Sequence, residues 1–221
     1  MALKFGQAKG TAAKTKVETY EYKDGENVVR LVGDILPRYV YWVPGTNGKD
    51  LPIECLGFDR EKERFTNIEK DWVPEYFPTN KDGKPNRCQW SYVMNCIDPK
   101  DGKVKPIMLK KTLLADVMNA AEQLGLDPTD PDTGFDIIFK REKTGPLAFN
   151  VDYKLQQLKL KSRPLNDAER AALAEAKSID EVYPRPTPEE IKALLDKLTS
   201  GGDDDADNPA TGIDKESVAD L

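Results

Sequence analysis

Residues 87–111, RCQWSYVMNCIDPKDGKVKPIMLKK, constrain the fold of this chain more than any other stretch. Trp90, Tyr92, Met94 and Cys96 fall on one face, and Gln89, Ser91, Val93, Asn95 and Ile97 on the other, which is the two-residue period of a strand. The segment Asp98-Pro99-Lys100-Asp101-Gly102 joins a proline that presets φ to a glycine that accepts positive φ, so a tight turn is expected. A second strand over 104–110 returns from it. Thr112 then reads as the N-cap of a helix, LLADVMNAAEQLG, with Leu113, Leu114, Val117, Met118, Ala121 and Leu124 on one side and Gly125 just past its end.

Upstream, 28–32 and 38–43 read as two pieces of one strand bent at the Gly33 to Pro37 break, and 51–58 pairs back after the turn at 44–48. Residues 59–86 lose all periodicity and form an insertion studded with Phe65, Trp72, Tyr76 and Phe77, some of them expected to staple it to the body. Downstream, Phe135, Ile137 and Phe139 alternate on one arm of a second hairpin, and Phe149, Val151, Tyr153 and Leu155 on the other. Phe135, Phe139, Val151 and Tyr153 are expected in the core. Two short helices follow, one capped by Asn166 and one opening with Thr187, Pro188 and Glu190 as a capping box.

With the bent strand counted once, the order is strand, strand, strand, helix, strand, strand. The expected fold class is therefore mainly β: a five-stranded Greek-key OB barrel with its helix between strands 3 and 4. The expected organisation is a flexible basic arm at 1–27, the barrel at 28–163 with its insertion at 59–86, short helices at 164–198 and a disordered acidic tail at 199–221.

Composition narrows the chemistry. The 221 residues include no histidine, which removes Ser-His and Cys-His nucleophiles and every His-containing metal motif. Three cysteines, Cys55, Cys88 and Cys96, lack CxxC spacing and read as small buried hydrophobes, and Asp127, Asp130, Asp132 and Asp136 lack calcium-loop spacing. The expectation is a non-enzymatic protein with no cofactor and no metal, cytoplasmic because neither a signal sequence nor a long apolar run is present. The net charge of -6 equals that of 199–221 alone, and 179–198 hold five acids against three bases, so 1–178 carry about +2 and a polyanionic ligand is compatible with the acidic total.

An OB barrel binds single strands by stacking bases on aromatics and pairing phosphates with Lys or Arg. The stacking candidates are Tyr39, Tyr41, Trp42, Trp90, Tyr92 and Phe149; the phosphate candidates are Arg30, Arg38, Arg87, Lys105, Lys110, Lys111, Lys140, Arg141 and Lys143. Alternation leaves open which of Tyr39, Trp42, Trp90 and Tyr92 face ligand and which face core.

The stretches VVRLVGDILPRYVYW, WSYVMNCIDPKDGKVKPIMLKKTLLADVMNAA and DPDTGFDIIFKREKTGPLAFNVDYKL, with the acidic tail, resemble the single-stranded DNA-binding, helix-destabilising proteins of tailed bacteriophages of the T-even type. The resemblance implies an OB fold that coats single strands during replication, recombination and repair in the host cytoplasm. It also implies a basic N-terminal arm for cooperative self-association and an acidic tail, here Asp203, Asp204, Asp205 and Asp207, that docks replication and recombination proteins. That family's type member carries zinc in its insertion on His and Cys ligands, whereas 59–86 contain neither, although the three cysteines flank it. The alternative reading is an OB-fold adaptor or structural phage protein that holds other proteins. A carboxylate-dependent nuclease is a third.

Overall fold

The computed structural model describes residues 17–45, 48, 50–146 and 150–200. A five-stranded antiparallel sheet in the order β10-β9-β1-β7-β8 dominates it, built from β1 (Gly25–Leu36), β7 (Val93–Ile97), β8 (Val104–Met108), β9 (Ile137–Lys143) and β10 (Val151–Leu155). A second sheet, β3-β2-β6, joins β2 (Tyr39–Pro44) to β3 (Asp50–Glu54) and β6 (Gln89–Trp90).

The two sheets share one bent strand, as Gly33 and Pro37 foretell. The β1–β7 register slips between Val32 and Ile35, and Gly33 takes φ of +72° there, a bulge that only glycine adopts without strain. Past Pro37 the chain resumes as β2, while β6 and β7 follow it around the same corner, with Tyr39 opposite Trp90 and Leu36 opposite Val93.

Three strands of the large sheet, β1, β7 and β8, precede α2 and two follow it, and the 51–58 tract is not among them. β3 pairs only with β2 and never enters the large sheet, so the 51–58 tract is an extra hairpin strand outside the five-stranded set. It ends at Glu54, and the next extended residues, β4 (Phe58–Asp59), pair instead with β5 (Arg64–Phe65) at the start of the insertion. The insertion continues through α1 (Val73–Tyr76) and a Thr79–Pro85 bridge, and Trp72, Tyr76 and Phe77 pack it on the body as expected.

The large sheet curls into a barrel-like layer around Val29, Leu31, Met94, Ile107, Ile137 and Phe139, and α2 (Lys111–Leu124) closes it with Leu113, Val117 and Ala120. Burying each such Leu or Val contributes about 1.5–3 kcal/mol. Phe135, Phe139 and Tyr153 are buried as expected, with Val151 half-buried. The helix begins earlier than Thr112 predicts. Leu109 N–H still bonds the Tyr92 carbonyl in strand fashion, and Lys110 takes the N-cap position, with no side-chain cap bond. Its buried face is also narrower: Met118 and Leu124 are exposed, because the closing contact lies on the Leu113, Val117, Ala120 row. Gly125 ends it in the left-handed region at φ 64°, as its place in the sequence predicts.

Both faces of β7 are buried, and the second covering comes from the C-terminal segment. Leu165 seals Val32 and Ile97; Ile179 and Tyr183 seal Leu36, Trp42, Val93 and Met108; Ile191 and Leu195 seal Val43, Leu51 and Val73. Those residues belong to or flank α3 (Asp167–Glu175), α4 (Ile179–Val182) and α5 (Pro188–Thr199), each opened by a capping box at Asn166, Ser178 and Thr187. The arm is ordered earlier than expected as well: Tyr20 is buried and its N–H bonds the Pro106 carbonyl. Residues 1–16 and the tail acids Asp203, Asp204, Asp205 and Asp207 lie outside the described residues. Among the described residues no helix is long and apolar enough to cross a membrane.

Candidate nucleic-acid interface

Half of the sequence-predicted candidates lie inside the protein. Arg30 is 1 % exposed, and its guanidinium donates to the carbonyls of Asp130 (2.6 Å) and Arg163 (3.2 Å), tying the loop before β9 to the end of the sheet. Arg38 is buried under the Tyr183 ring, 4.3 Å from its centroid, and donates through Nε to the Ser91 carbonyl. Lys105 is buried among Asp101 (2.7 Å), Glu18 (3.1 Å) and Asp98 (3.5 Å). Burial opposes its charge, but the bonds to Asp101 and Glu18 outweigh that and hold its pKa above the usual lysine value. None of the three offers a phosphate a free cation. Tyr41 and Trp42 are likewise core residues. Tyr41 takes a long contact from the Cys55 thiol (3.6 Å), and Trp42 packs beneath Ile179 and Tyr183. The physical reason is that the sequence pattern does not reveal distant covering segments: the C-terminal segment and the insertion close over Arg38, Tyr41 and Trp42, the loop before β9 and Arg163 over Arg30, and the N-terminal Glu18 with the 98–101 turn over Lys105.

Of the remaining candidates, Tyr39, Trp90, Tyr92, Lys110, Lys111 and Arg141 lie along one row. Trp90 is half-buried and lies flat on Tyr92, with centroids 3.5 Å apart and planes 10° from parallel, and its indole N–H donates to the Leu109 carbonyl. Tyr92 beneath it is buried and donates to Glu63 (2.9 Å), so burial and that carboxylate push its hydroxyl pKa up. This pair fixes the plane of the upper ring without ligand. On one side Tyr39 meets Trp90 edge-on at 6.3 Å, and Phe65, half exposed, meets Tyr39 at 5.0 Å. On the other, the Lys111 ammonium stands 5.7 Å over the Trp90 ring.

From there the neighbouring Lys110, itself buried, lies 5.8 Å from Tyr22 and 5.7 Å from Tyr153, which meet each other at 5.4 Å. Arg141 donates to the Tyr153 hydroxyl (3.4 Å) and pairs with Asp24. Lys140 and Lys143 continue along β9, Lys140 facing Glu142 at 3.8 Å. Arg87 is exposed at the entry to β6. Phe149 lies outside the described residues. The row therefore runs Phe65, Tyr39, Trp90, Lys111, Lys110, Tyr22, Tyr153, Arg141, aromatic and cationic by turns.

Phe65, Tyr22 and Tyr153 are missing from the sequence-predicted set, Tyr153 because alternation reads it as core. Phe65 sits in the insertion, where no periodicity assigns a face, and Tyr22 in the segment expected to be a flexible arm. Of the cysteines, Cys55 and Cys96 are buried and Cys88 half-buried; among the described residues no three acidic or thiol side chains gather as a metal site. Cys55 also donates to Asp71 (3.3 Å). Its thiol pKa is raised, first by its contact with Cys88 and then by burial, while the same contact lowers that of Cys88.

No protein-family model matches the chain. A curated protein of Escherichia phage T5, named "Probable ssDNA-binding protein", is 31% identical over an alignment of 262 positions that covers 100% of this chain and 99% of the relative. The chain belongs to the family of that phage protein. The match spans the insertion and the C-terminal helices as well as the barrel-like body, so family membership applies to the whole chain. It supports the resemblance to phage single-stranded DNA-binding proteins as a class and does not reach the T-even type.

Proposed function

We propose that the protein binds single-stranded DNA without catalysis, through an OB-type barrel, by stacking bases on Trp90, Tyr39 and Phe65 and pairing phosphates with Lys111, Arg141, Lys140 and Lys143. The observation that carries this reading is the Trp90 platform: a half-buried indole held flat on Tyr92 with a lysine above it. Every base has a π-face and every nucleotide a phosphate, so such a row binds strands with little sequence preference. Arg30, Arg38, Lys105, Tyr41, Trp42 and Tyr92 support the barrel beneath that row, and Lys110 bridges its two halves from below. The name of the T5 relative supports the same ligand.

On this reading the protein coats strands in the host cytoplasm during phage DNA replication, recombination and repair, as the T-even-type proteins do. Its N-terminal residues promote cooperative self-association, and Asp203, Asp204, Asp205 and Asp207 dock partner proteins and compete with DNA for the basic row. The test is titration with oligo-dT while tryptophan emission is followed at several salt concentrations. Saturable, salt-sensitive quenching is expected, and Trp90→Phe should remove most of it.

A further inference from the structure

A cleft of about 470 Å³ lies on the other face of β6, between the β2–β3 hairpin and the 80–87 segment, and the row just described does not use it. Its lining is rich in donors. Lys81 pairs with Asp50 at 2.7 Å and neutralises the one carboxylate of the lining. Lys84 and Arg87 are exposed on it and carry no ion pair among the described residues, leaving two uncompensated positive charges. Trp42 is 7 % exposed, and among the described residues its buried indole N–H and the buried Asn86 side-chain amide nitrogen have no hydrogen-bond partner. A buried donor left without an acceptor is disfavoured, so two in one lining call for an acceptor from outside the chain.

The wall is also built in advance. Asn80 Oδ1 accepts from the N–H groups of Asp82 and Lys84 at 3.0 Å each, Asn80 N–H donates to the Lys84 carbonyl at 2.8 Å, and Asn86 N–H to the Pro78 carbonyl at 2.9 Å. Little ordering entropy is then lost when a ligand enters. Gln89 lines this cleft while its neighbour Trp90 belongs to the stacking platform, since consecutive strand residues point to opposite faces.

We infer that this cleft is a second subsite for the same DNA strand, holding one phosphodiester between Lys84 and Arg87 with acceptor groups of the attached nucleotide turned toward Trp42 and Asn86. The inference rests on the single-stranded DNA reading and adds to it a path: the strand leaves the Trp90 platform, passes over β6 and enters the cleft. Two cations without carboxylate partners and two donors without acceptors are the complement of a phosphate and a base edge.

The full-length chain carries the test. Oligo-dT affinity is measured across sodium chloride concentrations for the wild type, for a Lys84→Gln/Arg87→Gln double variant, for Trp42→Phe and for Lys161→Gln, an exposed lysine outside the cleft. Each phosphate contact contributes about 0.7 to the slope of log K against log salt on single strands. The double variant should lose about that much slope and about tenfold in affinity, and Lys161→Gln should lose neither. Trp42→Phe keeps an aromatic ring but deletes the donor, so it should weaken binding severalfold; because the smaller ring also loosens the packing beneath Ile179 and Tyr183, binding is measured at a temperature where circular dichroism shows the variant fully folded. If the wild type binds and the double variant matches Lys161→Gln in slope and affinity, the cleft is not a subsite, and the Trp90 platform stands alone. If the wild type fails to bind oligo-dT at all, the single-stranded DNA reading itself falls and this inference with it.

Discussion

Trp90 does more at this surface than any other residue, because two neighbours determine how it is presented. Tyr92 holds its plane from below and Lys111 supplies charge from above. Base stacking on one aromatic is worth about 1–3 kcal/mol, so Trp90→Ala should weaken oligo-dT binding by roughly 5- to 150-fold in a fluorescence-anisotropy titration; a change under twofold would remove Trp90 from the site. A different residue-scale network holds the C-terminal segment down. Arg163 donates to both oxygens of Glu169 and of Asp136 at 2.8 Å, and Glu169 in turn accepts from the Asn166 N–H. Arg163, against the opposing effect of burial, keeps the Glu169 carboxyl below its usual pKa of 4.5. A depressed folded pKa gives stability that is complete above the unfolded value and lost as pH falls through the folded one. Glu169→Gln should therefore cost about 1–2 kcal/mol at pH 7, after allowance for partial solvent screening, and the penalty should shrink as the pH falls below the usual carboxylate range. A pH-independent penalty in urea melts would rule out the carboxylate as its source.

Among the elements, the C-terminal helices depart most from the sequence-based expectation. Their capping boxes are legible, because Asn166 with Glu169 and Thr187 with Glu190 need only a local spacing. What they cover is not legible: amphipathicity says that Ile191 and Leu195 want burial but not that Val43 and Leu51 lie opposite. The same limit explains Arg38 and Trp42. Alternation sorts β2 into two faces, and only the distant Ile179 and Tyr183 decide that the second face is closed. The bend at Gly33, the hairpin at 98–102 and the cap at Gly125 were readable because each is set by a residue or two in immediate sequence. If α5 is part of the core, Leu195→Ala, at a fully buried position, should destabilise the whole protein by about 2–4 kcal/mol in a single cooperative transition. Loss of α5 signal alone, with the sheet melting unchanged, would make it an appendage.

At the scale of the whole molecule, charge is divided between a mildly basic body and an acidic end, and family membership extends across both. On the proposed function the tail is an internal competitor for the row that runs from Phe65 to Arg141. Ending the chain after Ser200 should then tighten oligo-dT binding at low salt, with the gain fading as salt screens the competition; equal or weaker binding at low salt would remove that role from the tail. The central claim is that the Trp90 row holds single-stranded DNA. The direct measurement is a titration of the full-length protein with oligo-dT, following tryptophan emission from 50 mM to 1 M sodium chloride. The account predicts saturable quenching, an affinity that falls linearly with salt on logarithmic axes, and loss of most of the quench in Trp90→Phe. Absence of quenching at the lowest salt, or an unchanged quench in that variant, would contradict it.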